Sequence, residues 1–279
     1  MRRMSRAERL AVHATLIVAC VIAVFPVLWI VSTSFKPYED VFDTEIRLIP
    51  ETITWENYEH VLTKKDGMFL RWMANSAWVA LLTTLVGLFL STTAAYALSR
   101  YKFYGRNVAF YALLVTQMFP GTLLLIPLYR LMNQLGLLDN HLGLVLAYAT
   151  VAVPFCVMML KGYFDTIPYE LEEAAHVDGL GPIGSFWRIV LPLSLPGLAV
   201  TGFFTFITAW NEFLIALTFL SAEEKYTLPI GLQQFVNQYV SDYHYMAAGA
   251  VIVTLPALVV FFLAQKWLVS GLTVGGIKG

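Results

Sequence analysis

Charge is what this sequence has least of. Only 13% of its 279 residues are Asp, Glu, Lys or Arg, against about 25% in an average soluble domain. So little charge cannot cover a water-soluble body. With 58% apolar residues and a mean hydropathy of +0.67, the chain reads as a polytopic membrane protein. A formal charge of −1 leaves no electrostatic footprint for nucleic acid. The 14% aromatic content excludes disorder. Cysteine is nearly absent too. Cys20 and Cys156 both sit inside apolar runs, which gives neither a disulfide framework nor a zinc set. Catalytic constellations are missing: His13, His60, His141, His176 and His244 are scattered, and neither H-E-x-x-H nor G-x-S-x-G occurs. There is no G-x-x-x-x-G-K-[ST], so the chain cradles no nucleotide in that way. No metal site, catalytic residue or bound cofactor is expected. One decoy, Gly179, Gly181 and Gly184 in G-x-G-x-x-G spacing, follows an acidic helical stretch rather than a strand and encloses Pro182. It marks a helix stop.

What is present is a set of apolar runs. A span needs about 18 or more apolar residues, and six stretches pass: 14–35, 72–99, 107–129, 142–160, 189–220 and 245–265. None alternates with strand period, so the expected fold is all-α, a single transmembrane domain of six helices over residues 1–279. Pro26, Pro120, Pro154, Pro196 and Pro256 lie in these runs; bundle neighbours can re-satisfy the carbonyls they free. Arg2, Arg3, Arg6 and Arg9 before the first run resemble a secretory signal, but the run continues well past Cys20, which favours an uncleaved span. The Lys and Arg bias, clearest in Arg100–Arg106 (RYKFYGR), places both termini inside, with a cytoplasmic loop over 161–191 and a cytoplasmic tail over 266–279.

Two polar groups stand out within the spans. Glu212, beside Asn211, is the one acid in an apolar run, and Gln117 lies in the third run. A carboxylate at that depth faces the bundle interior or a watery path. Asn211, Glu212 and Gln117 are therefore candidates for a translocation path; the alternative for Glu212 is a place near the outer end of the fifth span, paired or hydrated, and for Gln117 an interhelical hydrogen bond. A stand-alone secondary transporter would want several such ionisable groups and a visible repeat, and the sequence shows neither.

The inner loop is the most informative segment. In Asp165–Pro192, Asp165 or Thr166 can cap a helix, Pro168 falls in its first turn, and Glu170, Glu172 and Glu173 favour the positive end of its dipole. Gly179 supplies a left-handed stop, giving a helix of about three turns. Leu171, Ala174, Ala175 and Asp178 share one face by spacing, and small alanines there allow close approach by another surface. A second short helix is expected to open at Pro182 and end before Pro192. With Arg188 the only base against five acids (Asp165, Glu170, Glu172, Glu173, Asp178), the loop suits a protein partner better than an anionic leaflet.

Glu173-Ala174-Ala175, three residues, Gly179, nine residues, then Ile189-Val190-Leu191-Pro192 resembles the E-A-A-x3-G-x9-I-x-L-P signature of permeases in binding-protein-dependent ABC importers. Further segments resemble the carbohydrate branch, in particular the MalG-type permease of maltose/maltodextrin importers. These are Leu90–Leu98, Gln117–Pro120, Lys161–Ile167, Tyr226–Leu228 with Gly231–Gln234, and the tail Lys266–Gly279.

The resemblance implies the type I importer permease fold in a bacterial cytoplasmic (inner) membrane. It implies a second permease subunit (MalF-like), two copies of an ABC ATPase (MalK-like) and an extracytoplasmic sugar-binding protein, with ATP and Mg bound by the ATPase alone. The carried substrate would be maltose/maltodextrin, with trehalose or another oligosaccharide as the alternative. Glu173, Ala174, Ala175, Asp178, Gly179, Ile189, Leu191 and Pro192 would couple to the ATPase. The tail at Gly275, Gly276, Ile277 and Lys278 would reach it as well, and Asn237, Gln238 and Tyr239 would face the binding protein.

Overall fold

In hydrocarbon every backbone N–H and C=O needs a partner within the protein, and a helix supplies it locally. The chain answers with helices throughout. The computed structural model describes residues 5–42, 47–236 and 242–275, apart from the side chains of 64, 65 and 269–275. Among these residues no strand forms. In chain order the helices are α1 (Arg6–Ser34), α2 (Tyr38–Val41), α3 (Glu56–Arg100), α4 (Arg106–Thr116), α5 (Gly121–Gln134), α6 (His141–Phe164), α7 (Glu170–Val177) and α8 (Pro182–Ser185). A π-turn (Phe186–Val190) leads to α9 (Leu191–Leu193), α10 (Leu195–Trp210) and α11 (Leu214–Phe219); a 3₁₀ turn (Glu223–Lys225) precedes α12 (Leu228–Gln233) and α13 (Tyr243–Gly275).

Among the described residues, four helical stretches are long and apolar enough to cross a membrane: Arg6–Ser34, Asp66–Arg100, His141–Phe164 and Tyr243–Leu268. The count reaches six if each of two bent pairs is one span. Arg106–Thr116 with Gly121–Gln134 bends by 105°, and Pro182–Leu193 with Leu195–Trp210 by 76°. The third and fifth runs, each read from hydropathy as one span, are therefore bent within their length. Pro120 cannot donate into the preceding turn, and Pro196 sits in the first turn of α10, where its missing N–H is harmless. Pro26, Pro154 and Pro256 lie inside continuous helices.

Contacts divide the chain into two units, residues 1–70 with 231–255 and residues 71–230 with 256–279. In the first, the Asn57 amide donates to the carbonyls of Ser34 (2.9 Å) and Lys36 (2.8 Å), tying the end of α1 to the start of α3. The Ser34 hydroxyl meets the Tyr58 hydroxyl at 2.7 Å. In the second, α6 packs against α4, α5, α10 and α11. Its core joins Ala95 and Leu98 of α3, Val157, Leu160 and Phe164 of α6, Ile167, and Val190 of the π-turn. Lipid tails are as apolar as these side chains, so packing rather than water exclusion holds the helices together. Gly197 of α10 shows how close that packing is: a Cβ there would lie 2.8 Å from the Tyr163 ring of α6.

Candidate coupling site and transport path

The α7 segment is built by its ends. Tyr169 N-caps it without a side-chain hydrogen bond, so the helix starts after Pro168 rather than around it, and at eight residues it runs little over two turns. Neither Asp165 nor Thr166 caps it. The Asp165 carboxylate instead accepts from Ser99 Oγ (2.6 Å) and from Lys161 Nζ (2.6 Å). Gly179, at φ +87°, closes the far end. The Leu180 N–H bonds the Ala175 carbonyl (2.9 Å) and the Gly179 N–H that of His176 (3.0 Å), which satisfies carbonyls the helix would otherwise leave open.

Burial sorts the acids and alanines that look equivalent in sequence. Glu172 is 1% exposed and Ala175 is buried, while Glu173, Ala174 and Asp178 are exposed. The expected shared face of Leu171, Ala174, Ala175 and Asp178 is thus divided: Ala175 turns inward and the others stay out. Glu172 was not singled out by the sequence. Its Oε1 lies 2.5 Å from Arg100 Nε, and the Tyr96 hydroxyl donates to its Oε2 at 2.7 Å. A buried carboxylate is retained only with such partners.

Beyond Gly179 the expected second helix is in three pieces, and it does not end before Pro192. α8 passes into the π-turn, in which the Leu191 N–H reaches back five residues to the Phe186 carbonyl. Pro192 falls within α9, where its ring suits the first turn of a short helix. Ile189 and Leu191 are half-buried and Pro192 is exposed.

The polar residues of the spans cluster around α6. Helix α10 stops at Trp210, and Asn211, Glu212 and Phe213 carry irregular backbone before α11. Both Glu212 carboxylate oxygens are occupied there, accepting from the N–H groups of Ile215 (2.8 Å) and Ala216 (3.0 Å). The Asn211 amide donates to the Ile207 carbonyl at 3.0 Å. Glu212 also lines a cavity of about 30 Å³ with Thr83, Tyr148, Val151 and Thr205. Gln117, in the break between α4 and α5, approaches the carbonyl of the same Val151 at 3.5 Å. The structure thus gathers Gln117 and Glu212 about one stretch of α6.

The remaining sequence candidates are placed elsewhere or lie outside what is described. Asn237, Gln238 and Tyr239, and the tail residues Gly276, Ile277 and Lys278, lie outside the described residues. α13 continues helically as far as Gly275. No group of three His, Cys, Asp or Glu side chains that could hold a metal occurs among the described residues.

Residues 85–274 match the family of binding-protein-dependent transport system inner membrane components. The chain belongs to that family. It is a permease of the ABC importer type, and the matched stretch contains α7 and both broken spans. Among curated relatives, it is 37% identical over 276 residues to the trehalose transport system permease protein SugB of Mycobacterium tuberculosis, covering 98% of each chain. It is 37% identical over 291 aligned positions to the maltose/maltodextrin transport system permease protein MalG of Yersinia pestis, covering 98% of this chain and 95% of that one. Among solved structures, one chain of a bacterial ABC transporter that imports the acidic polysaccharide alginate superposes with a TM-score of 0.82. It is 28% identical, with 95% of this chain and 99% of that chain covered. The resemblance to carbohydrate importer permeases read from the sequence is borne out by these relatives.

Proposed function

We propose that this permease forms half of the translocation pathway of an ATP-driven oligosaccharide importer in the bacterial inner membrane, and that α7 is the element through which an ATPase moves it. The observation that carries the reading is the division of α7 into two faces. Glu172 and Ala175 are buried against the chain, while Glu173 and Ala174 are exposed. A charged side chain beside a methyl-sized one suits a seat in a cleft of another protein, where the alanine allows approach and Glu173 pairs with a base. ATP and Mg would be bound by that ATPase, present in two copies. A second permease subunit would complete the pathway, and an extracytoplasmic binding protein would deliver the sugar.

The path itself is proposed along two interruptions of the helices beside α6. Irregular backbone at membrane depth is tolerated where it is buried in protein or lines a water-filled cavity, and two interruptions, the bend at Gln117–Pro120 and the irregular backbone of Asn211–Phe213 that follows α10, adjoin Val151 of α6. On this reading Gln117 and Asn211 face the path, while Glu212 holds its break in shape. The first sugars to test are maltose/maltodextrin and trehalose, since relatives named for each are 37% identical over nearly the whole chain.

The test is co-purification. The affinity-tagged chain, extracted from its own membrane in mild detergent, should bring down an ABC ATPase and a second permease. Glu173→Lys should release the ATPase and keep the second permease. Retention of ATPase by this variant would refute the docking assignment. Calorimetry of the cognate binding protein with trehalose, maltose and maltotriose then selects the sugar.

A further inference from the structure

The sequence offers three acids at the start of α7, and the structure gives one of them a different task. Glu172 turns away from the exposed face into a site made by the far end of α3. Arg100, the last residue of α3, directs its guanidinium three ways: Nε to Glu172 Oε1 at 2.5 Å, Nη2 to the Ile167 carbonyl at 3.0 Å, and Nη1 to Ser99 Oγ at 3.3 Å. Tyr96, one turn earlier, takes the second carboxylate oxygen at 2.7 Å. The Arg100 and Glu172 side chains are 8% and 2% exposed. Around them stand Phe164 and Phe186, with the Tyr96 ring 4.7 Å from that of Phe186.

A buried pair of this kind contributes little net stability. Well-packed apolar residues often serve as well or better, because removing two charges from water costs about what their attraction returns. What the pair does supply is direction. A guanidinium fork bonded at several nitrogens fixes both distance and angle, and here it joins three segments: the end of α3, the Ile167 carbonyl before α7, and the first turn of α7. Removing either partner leaves the other buried and unpaired, so the joint has no low-energy loosened form.

We propose that Arg100 and Glu172 are positioning residues that lock α7 to the end of α3, so that displacement of α7 is carried into that span without slack. The proposal rests on the reading of α7 as the ATPase-driven element. It assigns Glu172 and Glu173 opposite jobs: Glu173 meets the partner, and Glu172 holds the helix that presents it.

The experiment measures the joint directly. Nitroxide labels are placed at exposed positions 93 on α3 and 177 on α7, in a chain whose exposed Cys20 is replaced by Ser. The chain is kept in its native assembly in nanodiscs, and the inter-label distance is read by pulsed EPR with and without MgATP and vanadate. The expected wild-type result is one narrow distribution at the same distance in both states. Glu172→Gln and Arg100→Gln lose the narrow peak while still co-purifying with the ATPase, because the Glu173 face is untouched. Tyr96→Phe, which removes a single hydroxyl, broadens it in the same direction and covers the case in which a charge variant does not fold. A narrow peak retained in all three variants overturns the proposal, as does a wild-type distance that shifts with MgATP and vanadate. Loss of ATPase with a narrow peak also overturns it, since Glu172 would then be a contact. Failure of the underlying reading looks different: ATPase retained by Glu173→Lys, whatever the distances show.

Discussion

Lys225 and Asp139, 86 positions apart, form a hub at the junction of α6 and the 3₁₀ turn: Lys225 Nζ lies 2.6 Å from the Asp139 carboxylate and 2.8 Å from its backbone carbonyl. The other carboxylate oxygen accepts from the N–H groups of Ser221 (3.0 Å) and Ala222 (3.1 Å). Asp139 itself is held at φ +50°, a conformation that short polar side chains tolerate best.

These bonds all favour the ionised form. The Lys225 hydrogen bond first, then those from Ser221 and Ala222, bring the Asp139 carboxyl down to about 2 from an ordinary 3.8. A lowered folded-state value means the stabilisation is complete above the unfolded value and fades as pH falls through the folded one. The difference in Tm between wild type and Asp139→Asn should therefore be constant from neutral pH to about 4 and vanish toward about 2. Both partners are partly exposed, so screening limits the ion pair itself to about 1 kcal/mol or less. Thermal unfolding of the purified chain, followed by tryptophan fluorescence across that range, checks it. A difference that persists unchanged at the acid end would show that the carboxylate is not the source.

Gly197 gives a packing prediction. A Cβ at this position would meet Tyr163 Cγ at 2.8 Å and Cδ2 at 2.9 Å, closer than packed atoms stand. Gly197→Ala should push the Tyr163 ring aside and cost about 1–3 kcal/mol, the usual range for overpacking. The double variant Gly197→Ala with Tyr163→Leu, which trims the ring, should recover part of the loss. A double-mutant cycle of Tm values measures the coupling; strict additivity would show that the two helices do not meet there.

How far the sequence could be read depends on where each signal resides. The stop of α7 was legible because Gly179 announces it locally, and its structure carries the expected left-handed φ. The apolar runs were legible because hydropathy reports the solvent of each residue. The bends were not: Pro120 shows where a helix ends, but not the 105° turn to α5, whose two halves both pack on α6, distant in sequence. Glu172 was illegible for a related reason. Glu170, Glu172 and Glu173 are the same kind of signal in sequence, and Arg100 and Tyr96, 72 and 76 positions away, distinguish one of them.

Gly179 separates backbone demand from space. Nothing lies within 4 Å of where its Cβ would be, so a substitution clashes with no neighbour. Only the left-handed conformation opposes it, at roughly 1–2 kcal/mol for an ordinary residue. Gly179→Asn, which tolerates that conformation, should keep ATPase co-purification near wild type, whereas Gly179→Val should reduce it. Equal retention in both variants would show that the turn does not orient α7.

Glu212 is where a structural and a transport role can be told apart. Its carboxylate restarts a helix by accepting from two successive N–H groups, those of Ile215 and Ala216. A carboxamide oxygen can still accept from such a group, and a methyl cannot. Glu212→Gln should therefore fold and import sugar close to wild type. Glu212→Ala should lose about 1 kcal/mol, the typical cost of a missing cap, and lose uptake with it. The measurement pairs Tm with uptake of radiolabelled sugar in proteoliposomes carrying the whole assembly. If Glu212→Gln keeps its Tm but abolishes uptake, the negative charge itself acts on the transported solute or its water. The interruption between α10 and α11 would then be lined by Glu212 rather than held in shape by it.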